Sequence, residues 1–404
     1  MIIVFKLIAV MFCIVLLLKK RIALGNTMLI AAIVLFLMVA PEITVLQNTL
    51  VRTLTAPGTW SLMAAMYLVM CLEHQLRTTG VLDNFMMTVK KVFSDRALLA
   101  VMPGLIGFLP SLGGAIMSCP MVENASRRLV VSAEQKSTMN YWFRHIGEYA
   151  NPIVPGMLLA SEILQVPLRD LLIVLTPFGI LSVILGWFLL VVNIKTKPLE
   201  KVEEEVAATV VDSPWRSIIL ALGPIILNIF LVVTFNLDAA LSLAIVICVM
   251  SIVLRQRLTA IRTMFVEAYN FNLLWGVFGI ITFQNMFNLS GAVTTFLAYM
   301  ETTPISIELV IMFISFMGGL LCGVSQSMIA LSFPIIAAMG TIDMHLVTAA
   351  YIFGVGGQMI TPVHLCYPIT VEYFKADFVK PMIPVIKLEA IMMLIAFAVT
   401  QWLS

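Results

Sequence analysis

Long apolar runs recur along the whole chain, and no water-soluble fold can bury that many. Residues 2–18, 22–40, 60–76, 138–160, 171–194, 216–235, 238–254, 266–287, 344–366 and 384–402 are each apolar. Each is close to the roughly 20 residues a helix needs to cross a hydrocarbon core of about 30 Å. Only 11% of the residues are charged, against about 25% in a soluble domain. The chain therefore reads as an integral membrane protein. The runs lack strand-length alternation, which favours helices over a barrel.

The first run, "MIIVFKLIAVMFCIVLLLKKR", is apolar at once and basic only at its end. A signal peptide has the opposite order, so a retained first span is expected. The cysteines at 13, 71, 119, 248, 322 and 366 form no CxxC pair, so neither a disulfide framework nor a zinc site is expected. No P-loop is present. The expected partners are lipid and a small solute; no metal, cofactor or nucleic acid is expected.

Two further apolar regions, 96–122 and 305–339, are interrupted near the middle by Gly, Pro and Ser. Each half is about 20 Å long as helix, too short to cross, so both read as re-entrant hairpins. Placing Lys19, Lys20 and Arg21 in the cytoplasm and alternating puts most of the other Lys and Arg residues inside as well. Both termini then face outward. The polar segment 195–214 is a cytoplasmic linker between residues 1–194 and 215–404.

Those two halves resemble each other at an offset of about 211 residues. Gly80 and Phe85 match Gly291 and Phe296; Ser111 falls on Ser325, and Ser118–Cys119–Pro120 on Ser332–Phe333–Pro334. Asn151–Pro152 falls on Thr361–Pro362, and Glu162 on Glu372. One half enters its repeat from outside and the other from inside. The predicted fold is an all-α polytopic protein of two inverted-topology repeats, with about ten spans and two re-entrant hairpins, the architecture of secondary transporters.

Irregular backbone at membrane depth persists only where it is buried in protein or lines a polar cavity. Four breaks fall in symmetric pairs: the tips "PSLGG" (110–114) and "CGVSQS" (322–327), and the restarts Asn151–Pro152 and Thr361–Pro362. Ser, Asn or Thr can cap a following half-helix, with Pro at its first position. Helix N-termini gathered at mid-membrane attract anions, and free carbonyls suit a cation. The expected substrate site is Ser111, Gly113, Gly114, Asn151, Pro152, Ser325, Gln326, Ser327, Thr361, Pro362 and His364.

Arg144, His145 and Glu148 precede the first restart, and Arg144 and Glu148 are four apart on one helix face. Ionisable groups in a span mark ion or proton paths. The expectation is that Arg144 holds a carboxylate or balances Glu148, while His145 or Glu148 carries a proton. The counterparts Gly354, Val355 and Gln358 are uncharged.

At "PSLGGAIMSCPMV", "YWFRHIGEYANPIVPG" and "TPVHLCYPITVEYF" the chain resembles the ion-transporter superfamily of secondary carriers. Within it, the chain is most similar to a prokaryotic ten-span family, domain of unknown function 401. The resemblance covers nearly the whole chain. It implies a homodimer, elevator-like movement of a transport domain, and the cytoplasmic membrane of a prokaryote. Dicarboxylate relatives carry Ser–Asn–Thr at their hairpin tips; here the tips read Ser111–Leu112–Gly113 and Ser325–Gln326–Ser327. The serines are retained and the Asn is absent, which leaves both H⁺ and Na⁺ open as coupling ions.

Three readings follow. The first is a coupled carrier of a small organic anion, and the second a cation/proton antiporter that depends on Glu148. A remote third is an intramembrane serine protease with a Ser325–His364 dyad; "GVSQS" lacks the second glycine of a GxSxG elbow. No enzymatic activity is expected.

Overall fold

The computed structural model describes residues 2–20, 22–108, 114–197 and 214–403. Their regular structure is helical, with one isolated bridge between Leu129 and Thr196. The first half contains α1 (Ile2–Lys19), α2 (Leu24–Val39), α3 (Ile43–Thr55), α4 (Pro57–Thr78), α5 (Val81–Val92), α6 (Asp95–Gly107) and α7 (Gly114–Ala125). It continues with α8 (Ala133–His145), a 3-10 turn over Ile146–Tyr149, α9 (Pro155–Leu164) and α10 (Leu168–Gly186), which ends in a π turn. The second half contains α11 (Pro214–Phe235), α12 (Ala239–Val253), α13 (Leu258–Glu267), α14 (Phe271–Leu289) and α15 (Ala292–Met300). Then come α16 (Ile307–Cys322), α17 (Ser325–Ala338), α18 (Met344–Met359), α19 (Cys366–Phe374) and α20 (Met382–Leu403).

Local chemistry accounts for many of these boundaries. The Ser94, Asp238, Ser306 and Asp343 side chains accept amide hydrogen bonds at the starts of α6, α12, α16 and α18. Ser132 and Gln135 form a reciprocal capping box on α8. Pro57 and Pro155 occupy the first positions of α4 and α9, where a missing N–H costs nothing.

Each expected span falls on helix, but three straight segments are long and apolar enough to cross a membrane: Leu168–Val191, Trp215–Phe235 and Met382–Trp402. Two more qualify as bent pairs, α3 with α4 at 51° and α13 with α14 at 55°. The pattern of apolar runs misses α3 and α13, because Gln47, Asn48 and Arg52 interrupt one and Arg262 and Glu267 the other. On α10 and its terminal π turn, Ile173, Ile180, Ile184 and Phe188 are exposed at helical spacing. Such an apolar stripe on the outside of a protein matches a hydrocarbon surround.

Equivalent contacts recur in the two halves. Gly80 and Gly291 both turn into a helix with φ +71°, a left-handed conformation that glycine adopts without strain. Helix α6 packs on α7 and α8, as α16 packs on α17 and α18. Close backbone approach makes these contacts possible. A Cβ on Gly107 would lie 1.8 Å from the Arg144 carbonyl oxygen, and one on Gly319 would lie 2.0 Å from that of Gly354. The halves also exchange elements: α7 packs against α19, and α17 against α9. That crossing brings the interruptions of one half against those of the other.

Candidate functional site

The first interruption follows α8. The α-helix stops at His145 and tightens into the 3-10 turn that carries Glu148. The change of helix type corrects the expectation that Arg144 and Glu148 share one α-helical face. After it, Asn151 is fully buried. Its Nδ2 donates to the Phe108 carbonyl at 2.8 Å, and its Oδ1 accepts from the Ile153 amide at 3.2 Å. Asn151 thus forms an Asx turn and ties the interruption to the end of α6. The helix restarts at Pro155, with Val154 as N-cap.

The second interruption has the same logic. Thr361 Oγ1 accepts from the Val363 amide at 3.3 Å, and α19 restarts at Cys366 with Leu365 as N-cap. The expected caps at Asn151–Pro152 and Thr361–Pro362 are therefore three and four residues early. In both places the side-chain oxygen is consumed by a local turn and has none left for a helix amide. At the second tip, Val324 is the N-cap and Ser325 the first helical residue. No side-chain hydrogen bond caps α9, α17 or α19. First-turn amides without a cap are the groups that bind anions at helix N-termini.

These pieces meet. A Cβ on Gly156 would lie 2.7 Å from Ser325 Cβ, so the start of α9 touches the start of α17. The Ser325 side chain lies beside the Glu148 carboxyl. Glu148 Oε2 is buried with no hydrogen-bond partner among the described residues. Tyr351 donates its hydroxyl to the Glu148 carbonyl at 3.0 Å. Gly323, at φ +68°, closes the tip of α16. A Cβ there would lie 2.8 Å from the His364 amide nitrogen, so the second tip and the second interruption are in backbone contact.

His145 and His364 join the halves directly, with their Nε2 atoms 2.9 Å apart. His145 Nδ1 lies 2.6 Å from the Tyr141 carbonyl and His364 Nδ1 2.6 Å from the Gly323 carbonyl. With both ring nitrogens so placed, His364 has none to offer Ser325 as a nucleophile's base. Cys366 Sγ completes a cluster whose ligand atoms all lie within 4.8 Å of one another.

Of the other expected residues, Arg144 and Ser327 are buried, with Ser327 beside Cys322. Gln326, Thr361 and the exposed Pro362 line a cavity of about 950 Å³ between the second tip and helices α2 and α14. Gly114 opens α7. Ser111 and Gly113, like most of the linker, lie outside the described residues.

Sequence reasoning passed over Glu389. It is fully buried on α20 and accepts from the Tyr149 hydroxyl at 2.7 Å, and its Oε2 has no hydrogen-bond partner among the described residues. An acidic residue inside the apolar run 384–402 was the signal that pointed to it.

The sequence profile of a family described as "Protein of unknown function (DUF401)" matches residues 3–400. The chain belongs to the DUF401 family. Among curated proteins no relative matches it in sequence. The fold of this DUF401 chain is similar to that in the crystal structure of the Alcanivorax borkumensis YdaH transporter, described as having an unusual topology. The TM-score is 0.60 at 14% identity, over 90% of this chain and 89% of the other. At that identity the likeness carries the fold alone. It fits the all-helical membrane architecture of the DUF401 chain.

Proposed function

We propose that this chain is a secondary active transporter of a small organic anion, with a carboxylate as the bound group. Two inverted-topology repeats form it, 1–194 and 215–404, joined by the linker 195–214. The observation that carries the reading is the meeting of the second hairpin tip with both helix interruptions beside a large open cavity. Uncapped helix starts and the hydroxyls of Ser325 and Ser327 supply donors for an anion. Arg144 adds fixed positive charge nearby. Ser111, Gly113 and Gly114 of the first tip are assigned the matching role by the internal repeat.

The coupling ion is H⁺ or Na⁺. We assign the proton role to Glu148, the carboxyl that lies against Ser325. Movement is of the elevator type: the two hairpins and the interrupted helices travel as a body against α2 and α14, with the cavity at the boundary. The chain works as a homodimer in the cytoplasmic membrane of a prokaryote, with both termini outside. The YdaH likeness supports this reading at the level of the fold.

Uptake of labelled small carboxylates into proteoliposomes under an imposed pH or Na⁺ gradient tests it. Ser111→Ala, Ser325→Ala and Arg144→Gln are each expected to abolish uptake while the protein still folds. Full uptake in all three would reject the site. Collapse of a pH gradient by an added inorganic cation, with no organic anion required, would replace the carrier with a cation/proton antiporter.

A further inference from the structure

We propose that His145, His364 and Cys366 form a site for a transition-metal cation of the Zn²⁺ or Cu⁺ type, bound through the two Nε2 atoms and Sγ. The inference stands on ligand geometry and does not depend on the transport reading.

A carbonyl oxygen can only accept a hydrogen bond. Both Nδ1 atoms face carbonyl oxygens at 2.6 Å, Tyr141 for His145 and Gly323 for His364. Both must carry the ring proton there. In the neutral imidazole each Nε2 is then a bare lone pair. The structure points these two lone pairs at each other across 2.9 Å, where they repel unless a cation lies between them. One shared proton would satisfy only the two nitrogens, with the Cys366 sulfur hydrogen-bonded beside both rings. A metal ion satisfies all three groups.

The geometry suits that ion. With Zn–N near 2.0–2.1 Å and Zn–S near 2.3 Å, tetrahedral Zn²⁺ holds its ligand atoms about 3.3–3.6 Å apart. The Nε2 atoms, 2.9 Å apart, would open by about 0.4 Å, and a ligand pair at the 4.8 Å limit would close by about 1 Å to seat the ion. The Nδ1–H to carbonyl bonds are the outer-shell partners that fix tautomer and ring orientation in metal-ligating histidines. Two imidazoles and a thiolate select borderline or soft cations and discriminate against Na⁺ or Mg²⁺. Three protein ligands leave one position of a tetrahedral ion for water or an anionic donor. His364 and Cys366 are half-buried and His145 is buried.

Such an ion would pin the end of α8 to the second interruption, across the two halves of the chain. No metal spacing is visible in sequence, because His145 is over two hundred residues from His364-x-Cys366.

The test uses the full chain in detergent, stripped with a chelator and titrated with Co²⁺, then Zn²⁺ in competition. One Co²⁺ per chain is expected, with a thiolate-to-cobalt charge-transfer band that Zn²⁺ bleaches. Cys366→Ser should lose that band. His364→Ala should weaken binding beyond the about 10–100-fold typical of losing an outer-shell partner. Cys366→His, which keeps three ligands, should still bind Co²⁺ with an all-nitrogen spectrum, and it guards against loss of fold in the alanine variant. Absence of the band in the parent protein, or binding in Cys366→Ser and His364→Ala as tight as in the parent, would overturn the site and leave the two imidazoles sharing a proton.

Discussion

Tyr149 and Glu389 show how much rests on single hydrogen bonds in a buried site. The Tyr149 hydroxyl supplies the bond to Glu389 Oε1, and the carboxyl is fully buried. Tyr149→Phe removes the donor and leaves a buried acceptor unsatisfied, which costs about 1–3 kcal/mol. Thermal unfolding in detergent should show that loss, and an unchanged midpoint would mean water reaches Glu389. Glu389→Gln keeps an acceptor for Tyr149 and removes an ionisable group from a buried site. Its midpoint is expected to equal or exceed that of the parent. Asn151 is different because it serves two backbone groups, the Phe108 carbonyl and the Ile153 amide. Asn151→Ala orphans both, so its loss of stability should exceed that of Tyr149→Phe. Asn151→Asp, whose carboxylate would face the Phe108 carbonyl oxygen in a buried site, should lose at least as much stability as Asn151→Ala.

At the scale of elements, glycine sets how closely α16 can lie on α18, and α6 on α8. Alanine within a helix is favoured over glycine by about 1 kcal/mol. At Gly319 the added Cβ meets the Gly354 carbonyl at 2.0 Å, and backbone cannot rotate away as a side chain can. Overpacking of that kind costs about 1–3 kcal/mol or more, so it outweighs the propensity gain. Gly319→Ala and Gly107→Ala are expected to lower the unfolding midpoint. Gly223→Ala on α11, where the nearest atom is 3.9 Å away, should be neutral or stabilising. If all three behaved alike, helix propensity rather than interhelical distance would be the governing effect. The helix interruptions obey a second element-scale rule. Asn151 and Thr361 were legible as break points, since Asn-Pro and Thr-Pro disfavour continued helix. The restart positions were not legible, because the same oxygen can cap a helix or close a turn, and only surrounding contacts choose.

For the whole molecule, the exchange of elements between halves has a mechanical consequence. Because α17 packs on α9 and α7 on α19, neither hairpin can shift without carrying the other half's restarted helix. In the proposed transport cycle this makes the hairpins and interrupted helices one moving body. The cavity beside Gln326 and Thr361 lies at its boundary with α2 and α14, although α17 also packs directly on α14. Asn272→Trp fills that cavity from the α14 side at an exposed position. It is expected to lower carboxylate uptake several-fold while leaving the unfolding midpoint unchanged. Normal uptake in that variant would place the solute path elsewhere.

Apolar run length and the scarcity of charge were enough to make this chain helical and membrane-embedded, because hydrocarbon admits no unpaired backbone. The ordered matches between halves, from Gly80 and Gly291 to Glu162 and Glu372, pointed to the interruptions near Asn151 and Thr361 and the tip near Gly323, while the first tip lies outside the described residues. Sequence could not show that His145 faces His364, that Cys366 joins them, or that Glu389 finds Tyr149. Each of those contacts joins residues more than two hundred positions apart. They exist because helices from the two halves cross, and which side chains meet at a crossing is settled by packing, not by any local preference of the chain.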